Sequence, residues 1–286
     1  MPTGLHKDNR GKMPRLTVGY LTYITDRNKS KRMSDFRSSL ESLEKITSEN
    51  VEFLCIDNKS IQEARLAINE SGRFSKKYLF DRNHFDIALF YVTAWHSIES
   101  KTDYMCLMYD DFIVYDDAFD DVIQFMDENR DVHCTRITEY DFSNKRKYNS
   151  DITSKNVNPD AIRHYNTSTG ENLKWSDPIR VGSHTFYKNN WHYTSRPTVW
   201  RTEYFLEVLS NQGEIESNVL QGFEKWAMNE FNKSNLVTGV LDIGMVRTTP
   251  VDRSARSLEY SLEIEKNITI SLEDLKNDYK RGKNDL

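Results

Sequence analysis

The run Asp103-Tyr-Met-Cys-Leu-Met-Tyr-Asp-Asp-Phe-Ile-Val114 narrows the choice of fold more than any other part of the chain. Tyr104 to Tyr109 is a short hydrophobic segment of the length expected of a buried strand, and Asp110 and Asp111 end it abruptly. Two adjacent carboxylates at a strand exit are expensive to hold together unless a cation or a basic ligand offsets them. In an open α/β sheet, strand exits are also where ligands bind.

The segments before this run supply the sheet. Leu16 to Tyr23 reads as a first strand, and from Ser34 a helical spacing follows through Phe36, Leu40, Leu43 and Ile46. Val51 to Ile56 is a second strand, ending in Asp57-Asn58. Ser60 with Glu63 fits a capping box for a helix carrying Ile61, Ala64, Leu66 and Ile68. Tyr78 to Phe80 predicts a third strand, and residues 84 to 98 another helix. After the acidic-ended strand, Asp116 and Asp117 are placed to cap a helix running to Met126, and Val132 to Ile137 is a further apolar run. Alternation of this kind predicts parallel strands with crossover helices, a Rossmann-like α/β architecture.

The expected organisation is an N-terminal arm over 1–14, a nucleotide-binding half over 15–140, and a polar insertion or lid over 141–180. A second half over 181–249 and an extension over 250–286 follow. The insertion is rich in Asn, Ser, Thr and Lys and is unusually long for a plain connection. In the last two parts, order resumes with the aromatic stretch Phe186 to Tyr193, a strand is predicted over Val237 to Met245, and helices over 202–209, 214–231 and 271–280.

A formal net charge of -5 without a long basic tract argues against a chain whose main work is gripping nucleic acid. Cys55, Cys106 and Cys134 show no metal spacing and read as buried thiols. There is no apolar leader and no run long enough to span a membrane, so a soluble cytoplasmic protein is expected. After strand one the chain reads Thr22-Tyr-Ile-Thr-Asp-Arg27, with none of the glycines of a dinucleotide fingerprint, and no P-loop occurs elsewhere.

Taken together, these residues resemble the glycosyltransferases of the GT-A fold, family 2 above all, over roughly residues 15 to 247. That resemblance implies a mostly parallel central sheet with an irregular acceptor-side second half. Thr22-Tyr23 is similar to the family's first exit turn, and Asp57-Asn58-Lys59-Ser60 to its Asp-Asn-x-Ser, whose Asp holds the nucleobase. Asn83 is similar to the Asn after strand three. Tyr109-Asp110-Asp111 stands at the metal motif, so Asp111, with Asp110 and Asp242, is the implied ligand set for Mn2+ or Mg2+. Val240-Leu-Asp-Ile-Gly244 resembles a His-Ile-Gly segment with Asp242 in the His position, and Arg247 follows where it could meet a diphosphate. Pro197-Thr-Val-Trp-Arg201 resembles the segment beneath the acceptor, and Gly222-Phe-Glu-Lys-Trp226 makes Glu224 the implied general base.

The implied activity is inverting, metal-dependent transfer of a sugar from a nucleoside-diphosphate sugar, UDP-linked by preference, to a hydroxyl acceptor. A glycan is the favoured acceptor, with a modified nucleic acid left open. Two alternatives remain at this point: a metal-dependent phosphoryl- or nucleotidyl-transferase, and an inactive domain that binds a nucleotide-sugar or glycan.

Overall fold

Leu16–Thr22 is buried along its whole length and forms strand β1, in the interior of a nine-stranded sheet. The computed structural model describes residues 13–138, 176–189, 197–210, 236–248 and 272–284. In it, β1 pairs in parallel with β2 (Val51–Asn58) and β4 (Tyr104–Tyr109), and β2 with β3 (Lys76–Phe80). The connecting helices are α1 (Lys29–Ser42), α2 (Gln62–Glu70) and α3 (Phe85–Ser100). Helix α1 begins at Lys29, ahead of the expected Ser34.

Two neighbouring residues of β1 show where the layers lie. The Tyr20 hydroxyl donates to Ser39 Oγ of α1 at 2.9 Å. A Cβ on Gly19 would come within 1.9 Å of Thr93 Oγ1 of α3. Consecutive strand residues face opposite sides, so α1 and α3 cover opposite faces. Glycine at 19 lets α3 lie close against the sheet. Gly19→Ala is expected to destabilise the fold by about 1–3 kcal/mol, the usual range for overpacking. Thr93→Ala should relieve most of that loss, because Thr93 Oγ1 is buried without a hydrogen-bond partner among the described residues. Urea midpoints of the two single variants and the double variant check this; additive losses would mean that the two sites do not touch.

Beyond β4 the sheet stops being parallel. β9 (Thr198–Arg201) runs antiparallel between β4 and β6 (Cys134–Arg136). β10 (Thr238–Leu241) pairs parallel with β6 and antiparallel with β8 (His184–Asn189), and β8 pairs with the edge strand β7 (Ile179–Val181). The order is β3-β2-β1-β4-β9-β6-β10-β8-β7, so the expectation of a mostly parallel sheet is corrected to a mixed one. A separate ribbon pairs β5 (Phe112–Val114) with β11 (Val246–Thr248). Because β9 reverses direction twice over, β3, β2, β1, β4, β6 and β10 all end at one edge.

Among the described residues, three further helices add to the layers. α4 (Phe119–Glu128) stacks Phe125 on Phe186 with ring centroids 4.5 Å apart. α5 (Thr202–Ser210) stacks Phe205 on Phe90 of α3 at 5.7 Å. α6 (Leu272–Asn284) buries Leu275 and stacks Tyr279 on Tyr78 of β3 at 5.1 Å, so the far end of the chain packs beside an edge strand.

Two expected caps do not form. The N-cap of α2 is Ile61, with no side-chain cap; Ser60 Oγ instead accepts the Ile24 N–H at 3.0 Å, and Glu63 pairs with Lys29 and Arg37. The N-cap of α4 is Ala118, while Asp117 accepts the N–H groups of Thr47 at 2.7 Å and Ser48 at 3.2 Å. Cys55, Cys106 and Cys134 are free and buried. Among the described residues no helix is long and apolar enough to cross a membrane.

Candidate functional site

The strand register fixes the first element of the site. Thr22 pairs with Asp57, and Leu21 with Tyr109, so the exits of β1, β2 and β4 lie side by side. The strand order turns back at β1, whose chain neighbours continue to β2 on one side and return to β4 on the other. Such a reversal opens a crevice between the exit loops.

At the β1–β4 side of that crevice, Asp110 is 3% exposed and Arg32 of α1 is 4% exposed. Arg32 Nη2 donates to Asp110 Oδ1, and Arg32 Nη1 to the Tyr23 carbonyl at 3.1 Å. The other carboxylate oxygen, Oδ2, accepts the Thr22 hydroxyl at 2.9 Å and the Tyr23 N–H at 3.4 Å. The cation that offsets the acidic pair is therefore an arginine of this chain. Asp110, expected as a metal and donor ligand, has both oxygens engaged internally.

The β2 exit is built in the same manner. Asp57 is fully buried, and its oxygens accept the Ser60 N–H at 3.1 and 3.3 Å and Arg65 Nε of α2 at 2.8 Å. Lys59 turns this loop through a left-handed backbone with φ +64°. Burial raises the Asp57 carboxyl above the ordinary range, against the opposing pull of Ser60 and Arg65. The two exit loops are also laced together: Ile24 donates to Ser60 Oγ, and Ile61 N–H donates to the Ile24 carbonyl at 2.8 Å.

The remaining expected residues stand around this double knot. Asp111 is half-buried on the turn from β4 to β5. Asp35 of α1, which the sequence did not single out, has its carboxyl raised by burial and by the charges of Asp111 and Asp110, with Arg32 opposing. Tyr23 and Asn83 are half-buried in the loops after β1 and before α3. Arg247 is exposed on β11 opposite Ile113 of β5, which brings it to the β4 side. Asp242 follows β10 and donates its N–H to the Thr185 carbonyl at 2.9 Å, placing it beside β8 on the same edge. Glu224 lies outside the described residues. The structure thus gathers Thr22, Tyr23, Asp57, Asp110 and Asp111 into one crevice, with Asp242 further along the edge.

A second polar group at that edge also escaped the sequence. His184, at the β7–β8 turn, meets Asp121 with Nδ1 at 2.7 Å and Asp116 with Nε2 at 3.2 Å. Burial alone would raise the Asp121 carboxyl, but its hydrogen bonds with His184 and Ser183 hold it below the usual range. Asp116 is a partner of this imidazole, not a helix cap.

No protein-family model and no curated protein matches this sequence. Among solved structures, the chain is similar to S. aureus TarS, with a TM-score of 0.49 and 12% identity over 87% of this chain and 39% of that one. The structure of TarS residues 1–349 in complex with UDP gives 0.48 and 13%, covering 90% of this chain and 66% of that one. CMP:2-keto-3-deoxy-manno-octonic acid synthetase complexed with CTP gives 0.46 and 6%, over 88% and 99%. This chain spans about two fifths of the length of full TarS. At these scores and identities the likeness carries no function across.

Whether Mn2+ or Mg2+ fits can be tested on the side chains themselves. Hard divalent cations gather several oxygen ligands, and no group of three His, Cys, Asp or Glu among the described residues could hold one. Asp110 is committed to Arg32, and Asp242 stands at the exit of a strand three places from β4. The described residues do not fit the implied ligand set.

A cleft of about 500 Å³ lies elsewhere, between α1 and α2, lined among others by Leu40, Glu41, Glu44, Glu63, Leu66 and Glu70. Its surplus of carboxylates would repel a phosphorylated ligand. The crevice at the strand exits, where Arg32 and Arg65 offset Asp110 and Asp57 and Arg247 stands on the β4 side, is the better candidate.

Proposed function

We propose that this chain transfers a sugar from a nucleoside-diphosphate sugar, UDP-linked by preference, to a hydroxyl acceptor, favoured to be a glycan, with inversion at the anomeric carbon. The observation that supports it most is the placement of Thr22-Tyr23, Asp57 and Asp110-Asp111 around the reversal point of the strand order. That crevice is where open α/β sheets take nucleotides. The laced exit loops of β1 and β2 form a rigid wall for base and ribose. Arg247 supplies positive charge on the β4 side for the departing diphosphate. Glu224 takes the proton of the acceptor hydroxyl as its oxygen bonds to the anomeric carbon and the carbon–oxygen bond to diphosphate breaks.

A thermal-shift panel of nucleoside-diphosphate sugars tests this directly. One uridine sugar is expected to stabilise the chain, and Glu224→Gln should keep that shift while losing transfer by at least about 100-fold. Equal transfer by Glu224→Gln would remove it from the base role. The prior satisfaction of Asp57 and Asp110 by arginines favours a second reading, a binding domain without turnover. Donor stabilisation with neither hydrolysis nor transfer to any glycan acceptor would support that second reading.

A further inference from the structure

Two of the three carboxylates in the crevice are each met by an arginine from a helix beside them: Asp57 by Arg65 and Asp110 by Arg32. The second pair has the greater consequence. A divalent ion at Asp110 would need the oxygens that Arg32, Thr22 and the Tyr23 N–H already hold. Displacing Arg32 would leave a buried guanidinium without its counter-charge, a strongly unfavourable exchange. Arg32 also holds the Tyr23 carbonyl, and the loop beginning there is tied to the β2 exit through Ile24, Ser60 and Ile61. One side chain therefore neutralises the acidic rim and fixes the loop that walls the crevice.

We infer that Arg32 is the resident cation of this edge: its guanidinium holds the place at Asp110 that a divalent ion would otherwise take, and a nucleoside diphosphate enters with no metal bound to Asp110. This rests on the reading of the crevice as a nucleotide site. Arg32 is a positioning residue in this scheme, since it is buried and acts through Asp110 and Tyr23.

The test is calorimetric titration of the full chain with UDP, CDP, GDP and ADP, each in Mn2+ and in EDTA. The quantity read is the ratio of the two affinities for whichever nucleotide binds. Wild type and Asp110→Asn are expected to give the same ratio within about twofold, because Asp110 holds no metal in either. Arg32→Met frees the Asp110 carboxylate, and its ratio is expected to rise at least about tenfold. A ratio that is large in wild type and falls to one in Asp110→Asn would overturn the inference, as would a folded Arg32→Met with an unchanged ratio. If either single variant does not fold, the charge-matched double variant Arg32→Met with Asp110→Asn replaces it: a ratio within about twofold of wild type is expected, and a fall to one from a large wild-type ratio overturns the inference. Failure of all four nucleotides to bind in either condition would sink the nucleotide-site reading itself, an outcome distinct from metal dependence at Asp110.

Discussion

Arg32→Met is expected to lower unfolding free energy by about 3–5 kcal/mol, the usual consequence of stranding one charge of a buried pair. Domain stabilities are only about 5–15 kcal/mol, so this single change removes a large share of the total. The argument turns on burial: Arg32 and Asp110 side chains are 5% and 3% exposed, leaving little water to take over the lost interaction. The loss does not measure what the intact pair contributes, since desolvating both ions offsets much of their attraction. Arg32→Met combined with Asp110→Asn should therefore recover most of the stability. Asparagine keeps a carbonyl oxygen for the Thr22 hydroxyl and the Tyr23 N–H. Denaturant unfolding of the single and double variants reads this directly. A single variant within about 1 kcal/mol of wild type would show that the carboxylate finds other solvation.

Much of the architecture was legible because the strands of the first half are buried on both faces. Leu16–Thr22 and Tyr104–Tyr109 have no exposed residue, so their apolar runs are unbroken and their lengths come out nearly right. The reversal at β9 was not legible. Its pairing of Tyr104 with Arg201 joins residues far apart in the chain, and a short strand carries no mark of its direction. Ribbon strands β5 and β11 are three residues each, too short for a period to show. The missed caps have one cause. Ser60 and Asp117 have the right chemistry for a local helix end, but the Ile24 and Thr47 N–H groups recruit them from distant segments. Local propensity yields where a donor elsewhere in the fold needs an acceptor, buried at Ile24 and exposed at Thr47.

At the site, the costly carboxylates were visible and their partners were not. Asp57, Asp110 and Asp111 stand out because charge at the end of an apolar run demands compensation. The compensation looked external, a metal or a basic ligand, because no arginine adjoins them in sequence. One signal was available. Arg32 precedes Phe36, Leu40 and Leu43 at helical spacing, which puts a guanidinium on the stripe that α1 buries. Arg65 stands likewise between Ala64 and Ile68, the buried residues of α2. An arginine in line with a buried stripe points to a carboxylate inside, and here two such helices, α1 and α2, meet the acids at the exits of β4 and β2.

Acidification below neutrality is expected to weaken the docking of α6 through His84. This imidazole is fully buried ahead of α3, with its ring edge-on to Phe80 and Nε2 2.8 Å from Asp278 of α6. Nδ1 has no hydrogen-bond partner among the described residues. Burial, then the charge of Arg82 and Arg281, pushes the imidazole down to about 4, with Asp274 pulling the other way. The nearby Asp278 carboxylate favours protonation too, but Arg82 and Arg281 share its charge. Between about pH 6.5 and 4, the unfolded chain binds a proton that the folded chain refuses, so stability falls as pH falls through that window. A shift of this size corresponds to about 3 kcal/mol, present in full above the unfolded value. His84→Gln keeps a donor toward Asp278 and removes the titration. Its stability should change with pH across the window by about one proton less than wild type. Asp57, whose raised carboxyl acts with the opposite sign, is unaltered in both proteins, so the difference isolates His84. Trp95, 5.2 Å from Tyr279, provides a local fluorescence report of α6 lifting. An identical pH slope in wild type and His84→Gln would assign the acid sensitivity to other groups.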